Sequence, residues 1–143
     1  MSVAAARTPS RITVGLLVLL GLINLGRGSI HIFLPDSGAG VIAGFDLDQG
    51  GQTIVFLLAM IGAGQIGAGL IDLMVAARFR AFAAPLLAVE LLRALIGLYI
   101  AFVSKSVGTG YPGAKGMIIS AVVLAVAVAW EFGRPGPQSR TGT

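Results

Sequence analysis

Charge is missing from this chain over runs long enough to cross a bilayer. Residues 12–26, 49–71, 81–89, 94–104 and 116–130 contain no Lys, Arg, Asp or Glu. A membrane helix needs about 20 mostly apolar residues, and the third and fourth runs join across Glu90 and Arg93 into one stretch. Four spans follow, near 12–33, 52–77, 80–103 and 116–133. In lipid the backbone can be satisfied only inside helices or closed barrels. These runs are too long for barrel strands, and their polar residues recur at helical spacing. The expected fold class is therefore all-α: an integral membrane four-helix bundle in up-down-up-down order.

Composition agrees. Of 143 residues 56% are hydrophobic and 11% charged, against about 25% charged in globular proteins. Mean hydropathy is +0.93, so too little polar surface exists to cover a water-facing exterior. At this length a single transmembrane domain over 1–143 is expected. The absence of Cys removes disulfides, thiolate metal sites, Fe–S clusters and thiol catalysis. The net charge of +4 comes from basic residues scattered singly, which do not form a nucleic-acid stripe.

Those basic residues instead indicate orientation. Arg7, Arg11, Arg78, Arg80, Arg134 and Arg140 flank the spans on one side. Lys105, Lys115 and the acidic Asp36, Asp46 and Asp48 fall on the other. By the positive-inside rule both termini are cytoplasmic. No small-x-small cleavage site follows the first apolar run, so it reads as a retained span rather than a signal peptide. Residues 1–10 and 134–143 have the composition of disordered ends. The loop after span one opens with turn chemistry at Pro35-Asp36-Ser37-Gly38. Its Val41–Phe45 stretch reads as an interfacial or re-entrant piece that contacts lipid or closes over an outward-facing site.

Span two contains Gly62-Ala63-Gly64-Gln65-Ile66-Gly67, a literal G-x-G-x-x-G. A dinucleotide site would also need an acidic residue about 20 positions on and a strand-helix alternation. That region reads Arg80-Ala-Phe-Ala-Ala-Pro-Leu, and the other apolar runs are span-length. The small residues read as helix packing, with Ala63 and Gly67, and Gly64 and Ala68, as small-xxx-small pairs. Ala121, Ala125 and Ala129 form a matching seam in span four, facing the bundle or a second protomer.

Ionisable groups inside a membrane cost about 2.5–3.5 kcal/mol each at the helix centre, so they are the first place to look for function. Asn24, Arg27 and His31 share one face of span one, Gln65 and Asp72 one face of span two, and Glu90 and Arg93 one face of span three. At 1.5 Å per residue, Asn24, Gln65, Glu90 and Arg93 fall within about 3 Å of the midplane, with Arg27 roughly 7 Å outward. Asp72 lies about 11 Å inward, within reach of Arg11 or Arg80. One reading is a closed, neutral network in which Glu90 pairs with Arg93 or Arg27 while Asn24 and Gln65 supply the remaining hydrogen bonds. The other is an outward-opening cavity in which Arg27 and Arg93 bind an anionic or polar headgroup, a quinone or a small substrate. His31 reads as an interfacial histidine, and one His without a second close donor makes no metal site. Pro85 either sits near the start of a helix or kinks span three before Glu90. Asn24-Leu-Gly-Arg27 and Glu90-Leu-Leu-Arg93 echo one another at an offset of 66 residues, which allows a parallel two-hairpin repeat.

The layout resembles small bacterial four-helix membrane proteins of the DoxX-like kind. The shared features are four spans in about 140 residues, Arg27 in the outer half of span one, Pro35 in the following loop, a Gly-rich span two and a Leu-rich span three with Arg93. The resemblance implies a bacterial inner-membrane protein, of a group in which some members accompany quinone-linked or sulfur-oxidising enzymes. It carries over no catalytic residues. The expected role is a non-catalytic accessory protein or membrane subunit, with the lipid bilayer and a membrane complex or second copy as partners and no cofactor of its own. Two alternatives stand beside it: a small proton-coupled or anion transporter using Glu90 with Arg27 and Arg93, and a quinone-interacting subunit of a redox complex.

Overall fold

Helix α1, Arg11–Phe33, begins where the Ser10 hydroxyl accepts the backbone N–H of Thr13 at 3.0 Å, closing one of the orphan donors of a helix N-terminus. The computed structural model describes residues 8–105 and 113–135. Within them α2 spans Gly51–Ala77, α3 Ala83–Tyr99 and α4 Ala114–Gly133. A 3₁₀ turn, Arg80–Phe82, leads into α3, and a π turn, Ile100–Ser104, extends it. All four helical segments are long and apolar enough to cross a membrane, and the described residues contain no strand. The boundaries fall within two residues of those expected from the charge-free runs. The protein is an integral membrane protein of four helices.

Pro85 occupies the first turn of α3, whose N-cap is Phe82. Its missing N–H costs nothing there, because first-turn amides have no intrahelical partner. The expected disorder at 1–7 and 136–143 lies outside the described residues. In the described part of those ends Ser10 is buried, and the Arg134 guanidinium donates to the Thr8 carbonyl at 3.1 Å.

The closest helix pairings are α1 with α2 and α3 with α4; contacts between these two hairpins are sparse. Glycines bring α1 and α2 together. A methyl group at Gly28 would lie 2.7 Å from the Gly62 carbonyl oxygen, and one at Gly69 would lie 2.7 Å from that of Gly21. Pairing Gly21 with Gly69 and Gly28 with Gly62 makes the two helices antiparallel, with backbone meeting backbone twice at seven-residue spacing. This corrects the packing expectation for span two. Gly64 and Gly67 are exposed and have nothing within 4 Å of a built Cβ, and Ala68 is only half-buried. The contacting glycines sit on the face about 140–160° away from Gly64 on the wheel. In α4, Ala121 is buried but Ala125 and Ala129 are exposed; the inward face is Ala114, Ala121, Leu124, Ala127 and Glu131. A strict four-residue seam drifts around a 3.6-residue helix, so it cannot hold one face.

Leu17, Val75, Ala76, Ala83, Leu87, Leu124 and Ala127 form one buried apolar layer contributed by all four helices. It closes the end of the bundle that carries the start of α1 and the end of α4. Towards the other end the hairpins part.

The loop from Leu34 to Ala43 is a series of turns rather than a helix. Asp36 organises it, accepting the backbone N–H groups of Gly38, Gly40 and Val41 at 2.8–3.0 Å. Ser37, at φ 54°, donates its hydroxyl to the Val55 carbonyl at 3.1 Å. Val41 is 84% exposed, with Ile42 and Phe45 also outward, which suits a lipid interface. Hydrogen bonds from Val41, then Gly38 and Gly40, hold the Asp36 carboxyl below its ordinary value of 3.8. A depressed folded value means that the stabilisation is present above 3.8 and lost as pH falls through the lower folded value. Amide exchange protection at Gly38, Gly40 and Val41 is therefore expected to hold at neutral pH and to collapse only in strong acid. Asp36→Ala should abolish it at every pH, and unchanged protection in that variant would remove Asp36 from the account.

Candidate functional site

Where the hairpins part, a cavity of about 820 Å³ opens, lined by residues of all four helices. Its polar lining includes Asn24 and Arg27 from α1, Gln65 from α2, Glu90 and Arg93 from α3, Lys105 beyond the π turn and Ser120 from α4. Leu20, Ile23, Ile61, Ile100, Met117 and Leu124 make up much of the rest. The two segments that echo one another in sequence, Asn24 with Arg27 and Glu90 with Arg93, thus line the same space. Each is brought there because its helix buries the preceding turn: Leu17 and Gly21 in α1, Leu87 in α3.

Glu90 and Arg93 form an ion pair at 3.0 Å, the carboxylate side chain 6% exposed and the guanidinium 50%. The same guanidinium reaches the Asn24 amide oxygen at 3.5 Å. The Asn24 amide nitrogen in turn donates to Asp72 at 3.3 Å. A polar chain therefore runs from the cavity floor, Glu90 to Arg93 to Asn24, and ends on Asp72 inside the α1–α2 contact.

Asp72 does not meet Arg11 or Arg80, as its depth along the helix had led us to expect. It is fully buried, while Arg80 Nε donates to the Ala76 carbonyl at 3.1 Å. The reason is its register: Asp72 lies three residues after Gly69, on the face that packs against α1, and so points away from the surface arginines.

The network is not closed. Among the described residues Arg27 makes no hydrogen bond or ion pair, and it is exposed along the cavity. Gln65 Oε1 and Asp72 Oδ1 are buried acceptors without a partner among those residues. Native proteins satisfy nearly all such groups. With Glu90 and Arg93 neutralising one another, Arg27 and Lys105 leave the cavity with two uncompensated positive charges. A guanidinium presents its donors in a planar fork that fits carboxylates and other oxyanions.

His31 lies outside the cavity. Its Nδ1–H donates to the Ser37 carbonyl at 2.7 Å, fastening the loop turn to the end of α1. No loop residue from 34 to 50 lines the cavity, so nothing positions that loop as a lid. The G-x-G-x-x-G segment lies within α2. Its backbone amides are used by the helix and cannot cradle a phosphate. No group of three or more His, Asp or Glu among the described residues is placed to hold a metal ion.

A second polar cluster closes the opposite end. Glu131, with its side chain 3% exposed, accepts the Thr13 hydroxyl at 2.6 Å, the Ser10 backbone N–H at 3.1 Å and the Arg134 guanidinium at 2.8 Å. The carboxylate thus sits at the positive N-terminal end of α1 and ties it to the end of α4. Sequence reasoning assigned Glu131 no partner. The available signal was Ser10 and Thr13 at capping spacing, but the partner lies 118 residues from Thr13, and no local pattern could reveal it. Lys105, Ser120 and Asp72 as neighbours of one polar system were likewise not legible. No family model, curated protein or solved structure matches this chain.

Proposed function

We propose that this membrane protein is a non-catalytic binding component, an accessory protein or membrane subunit, that holds a ligand bearing a small anionic group between its two hairpins. Arg27 carries the reading: a guanidinium on an intramembrane helix, lining a cavity, with no anion to pair with among the described residues. An unpaired intramembrane charge is costly, and an anionic ligand offsets that cost. The mixture of guanidinium and apolar wall favours a carboxylate or similar oxyanion attached to a small apolar body. The basic residues flanking the spans support an up-down-up-down order with both termini cytoplasmic, so that the cavity mouth near Lys105 faces outward. The DoxX-like layout supports a bacterial inner membrane. The cavity, with cations from its mouth to its floor, also suits the transport reading, in which the same anion moves on through the bundle.

Benzoate, with benzyl alcohol and benzylamine as neutral and cationic controls, tests this on the full chain in lipid nanodiscs. Equilibrium dialysis should show benzoate retained and neither control competing. Arg27→Gln should weaken retention by about tenfold or more, the scale of a charged hydrogen bond. Its thermal unfolding temperature should not fall, since Arg27 holds no partner among the described residues and the substitution removes an unpaired charge. Retention that is undiminished in Arg27→Gln would overturn the assignment.

A further inference from the structure

Asp72 is a carboxyl deep in the bundle that neither the proposed binding role nor the Glu131 cluster uses. It is fully buried among α1 and α2, does not line the cavity, and has a single hydrogen bond, from Asn24. Its Oδ1 has no partner among the described residues. Asn24 touches both sides of the problem: its amide oxygen faces Arg93 at the cavity, and its amide nitrogen faces Asp72. From these placements we infer that Asp72 is a proton-binding site coupled to anion entry into the cavity, with the Asn24 amide as the coupling element. The inference rests on the anion-binding role proposed above and adds the ion that accompanies the ligand.

An amide has one donor end and one acceptor end, so turning it over exchanges what each neighbour must offer. Arg93 donates to the Asn24 oxygen, which leaves the nitrogen facing Asp72, where only an acceptor fits. That acceptor is the carboxylate. An anion seated between Arg27 and Arg93 draws the Arg93 guanidinium towards itself and away from Asn24. The amide oxygen is then free to turn to Asp72, where it requires a donor. A protonated Asp72 supplies one: a proton taken up from the buffered solution, whose conjugate base remains outside, forms an O–H bond on the carboxyl, and that O–H donates to the Asn24 oxygen. One negative charge enters and one proton enters with it, so the total charge inside the bundle does not change. The anion offsets the positive charge of the cavity, and the proton removes a separate cost: once the Asn24 nitrogen turns away, Asp72 would be a buried carboxylate without a donor among the described residues.

The groups around Asp72 do not offer a competing explanation. From α3 it faces Arg93 and Glu90, already paired with one another. From α1 it faces Asn24, with Arg27 one turn nearer the mouth. In α4 the ionisable residues among those described, Lys115 and Glu131, lie at the two ends of the helix. On its own helix the nearest basic residues follow at Arg78 and Arg80, and Arg80 is held by the Ala76 carbonyl.

Calorimetry of benzoate binding to the full chain in nanodiscs, in two buffers of different ionisation enthalpy at the same pH, counts protons taken up per anion bound. The expected result is proton uptake approaching one per anion bound in the unaltered chain, the same ratio in Glu90→Gln whatever that substitution does to affinity through its ion pair with Arg93, and no uptake in Asp72→Asn while benzoate still binds. Binding with no proton uptake overturns the coupling but leaves the anion site standing. Uptake lost in Glu90→Gln and kept in Asp72→Asn transfers the proton to Glu90 and overturns the role of Asp72. Failure of the unaltered chain to bind benzoate overturns the anion site and this inference together. Infrared difference spectra with carboxyl-labelled aspartate need no variant and so survive any misfolding of Asp72→Asn. Addition of benzoate should produce a protonated-carboxyl band that shifts with the aspartate label, and a band that ignores the label counts against Asp72.

Discussion

Replacing Gly69 with leucine is expected to separate α1 from α2 and to destabilise the protein by about 3 kcal/mol or more, at the upper end of overpacking costs. A Cβ at this position would lie 2.7 Å from the Gly21 carbonyl oxygen and 3.1 Å from the Leu25 backbone nitrogen. These are backbone atoms, which cannot rotate away as a side chain can, so the helices must part. Between helices in lipid there is no hydrophobic drive to hold a looser pair together. Asp72 and Asn24 would separate as well, since their hydrogen bond crosses the same contact. Gly67→Leu is the internal control. Only two positions away, it has nothing within 4 Å and should leave stability within about 0.5 kcal/mol, as surface substitutions usually do. Unfolding in detergent with increasing SDS measures both. Equal effects from the two substitutions would mean that the helix contact does not run through Gly69.

Glu131→Ala should be nearly as costly, at about 2–3 kcal/mol, because it strips three donors at once: the Ser10 amide, the Thr13 hydroxyl and the Arg134 guanidinium. Burial makes the Ser10 amide and the Thr13 hydroxyl expensive to leave unpaired, and both sit at the N-terminus of α1, where orphan amides already gather. Thr13→Val removes the hydroxyl's two hydrogen bonds, to Glu131 and to the Ser10 hydroxyl, but leaves the carboxylate its other donors, so a smaller loss of about 1–2 kcal/mol is expected. The same SDS titration ranks the two variants. A Glu131→Ala protein no weaker than Thr13→Val would show that the carboxylate does not clamp the helix ends. The location of the loss is informative too. Loosening this end while leaving benzoate retention at the other end intact would separate the clamp from the cavity.

How far the sequence carried the description differs from element to element. The helix limits were legible almost to the residue, because the cost of charge in lipid is large and depends on composition alone. The polar positions Asn24, Arg27, Gln65, Glu90 and Arg93 were legible as a group for the same reason, and all five line the same cavity. Which glycines touch was not legible. Gly62, Gly64, Gly67 and Gly69 all offer small-residue spacings, and an α2 surrounded by apolar side chains on every face has no polar side to mark its outside. In water the polar face would have chosen between them; in lipid it cannot. Asp72 was misplaced by the same ambiguity, since depth along a helix is a matter of counting whereas direction around it depends on the neighbour.

Hydropathy alone therefore settled that this chain crosses the membrane as helices, and where each begins and ends. Only the tertiary structure decided that the helices pair as two hairpins, that a cavity separates them, that Arg27 stands in it unpaired among the described residues, and that Glu131 clamps the far end. Insertion into lipid is a sum over residues and can be read in one dimension. Pairing of charges and close approach of backbones depend on rotation and on partners distant in the chain, and those exist only once the helices have packed.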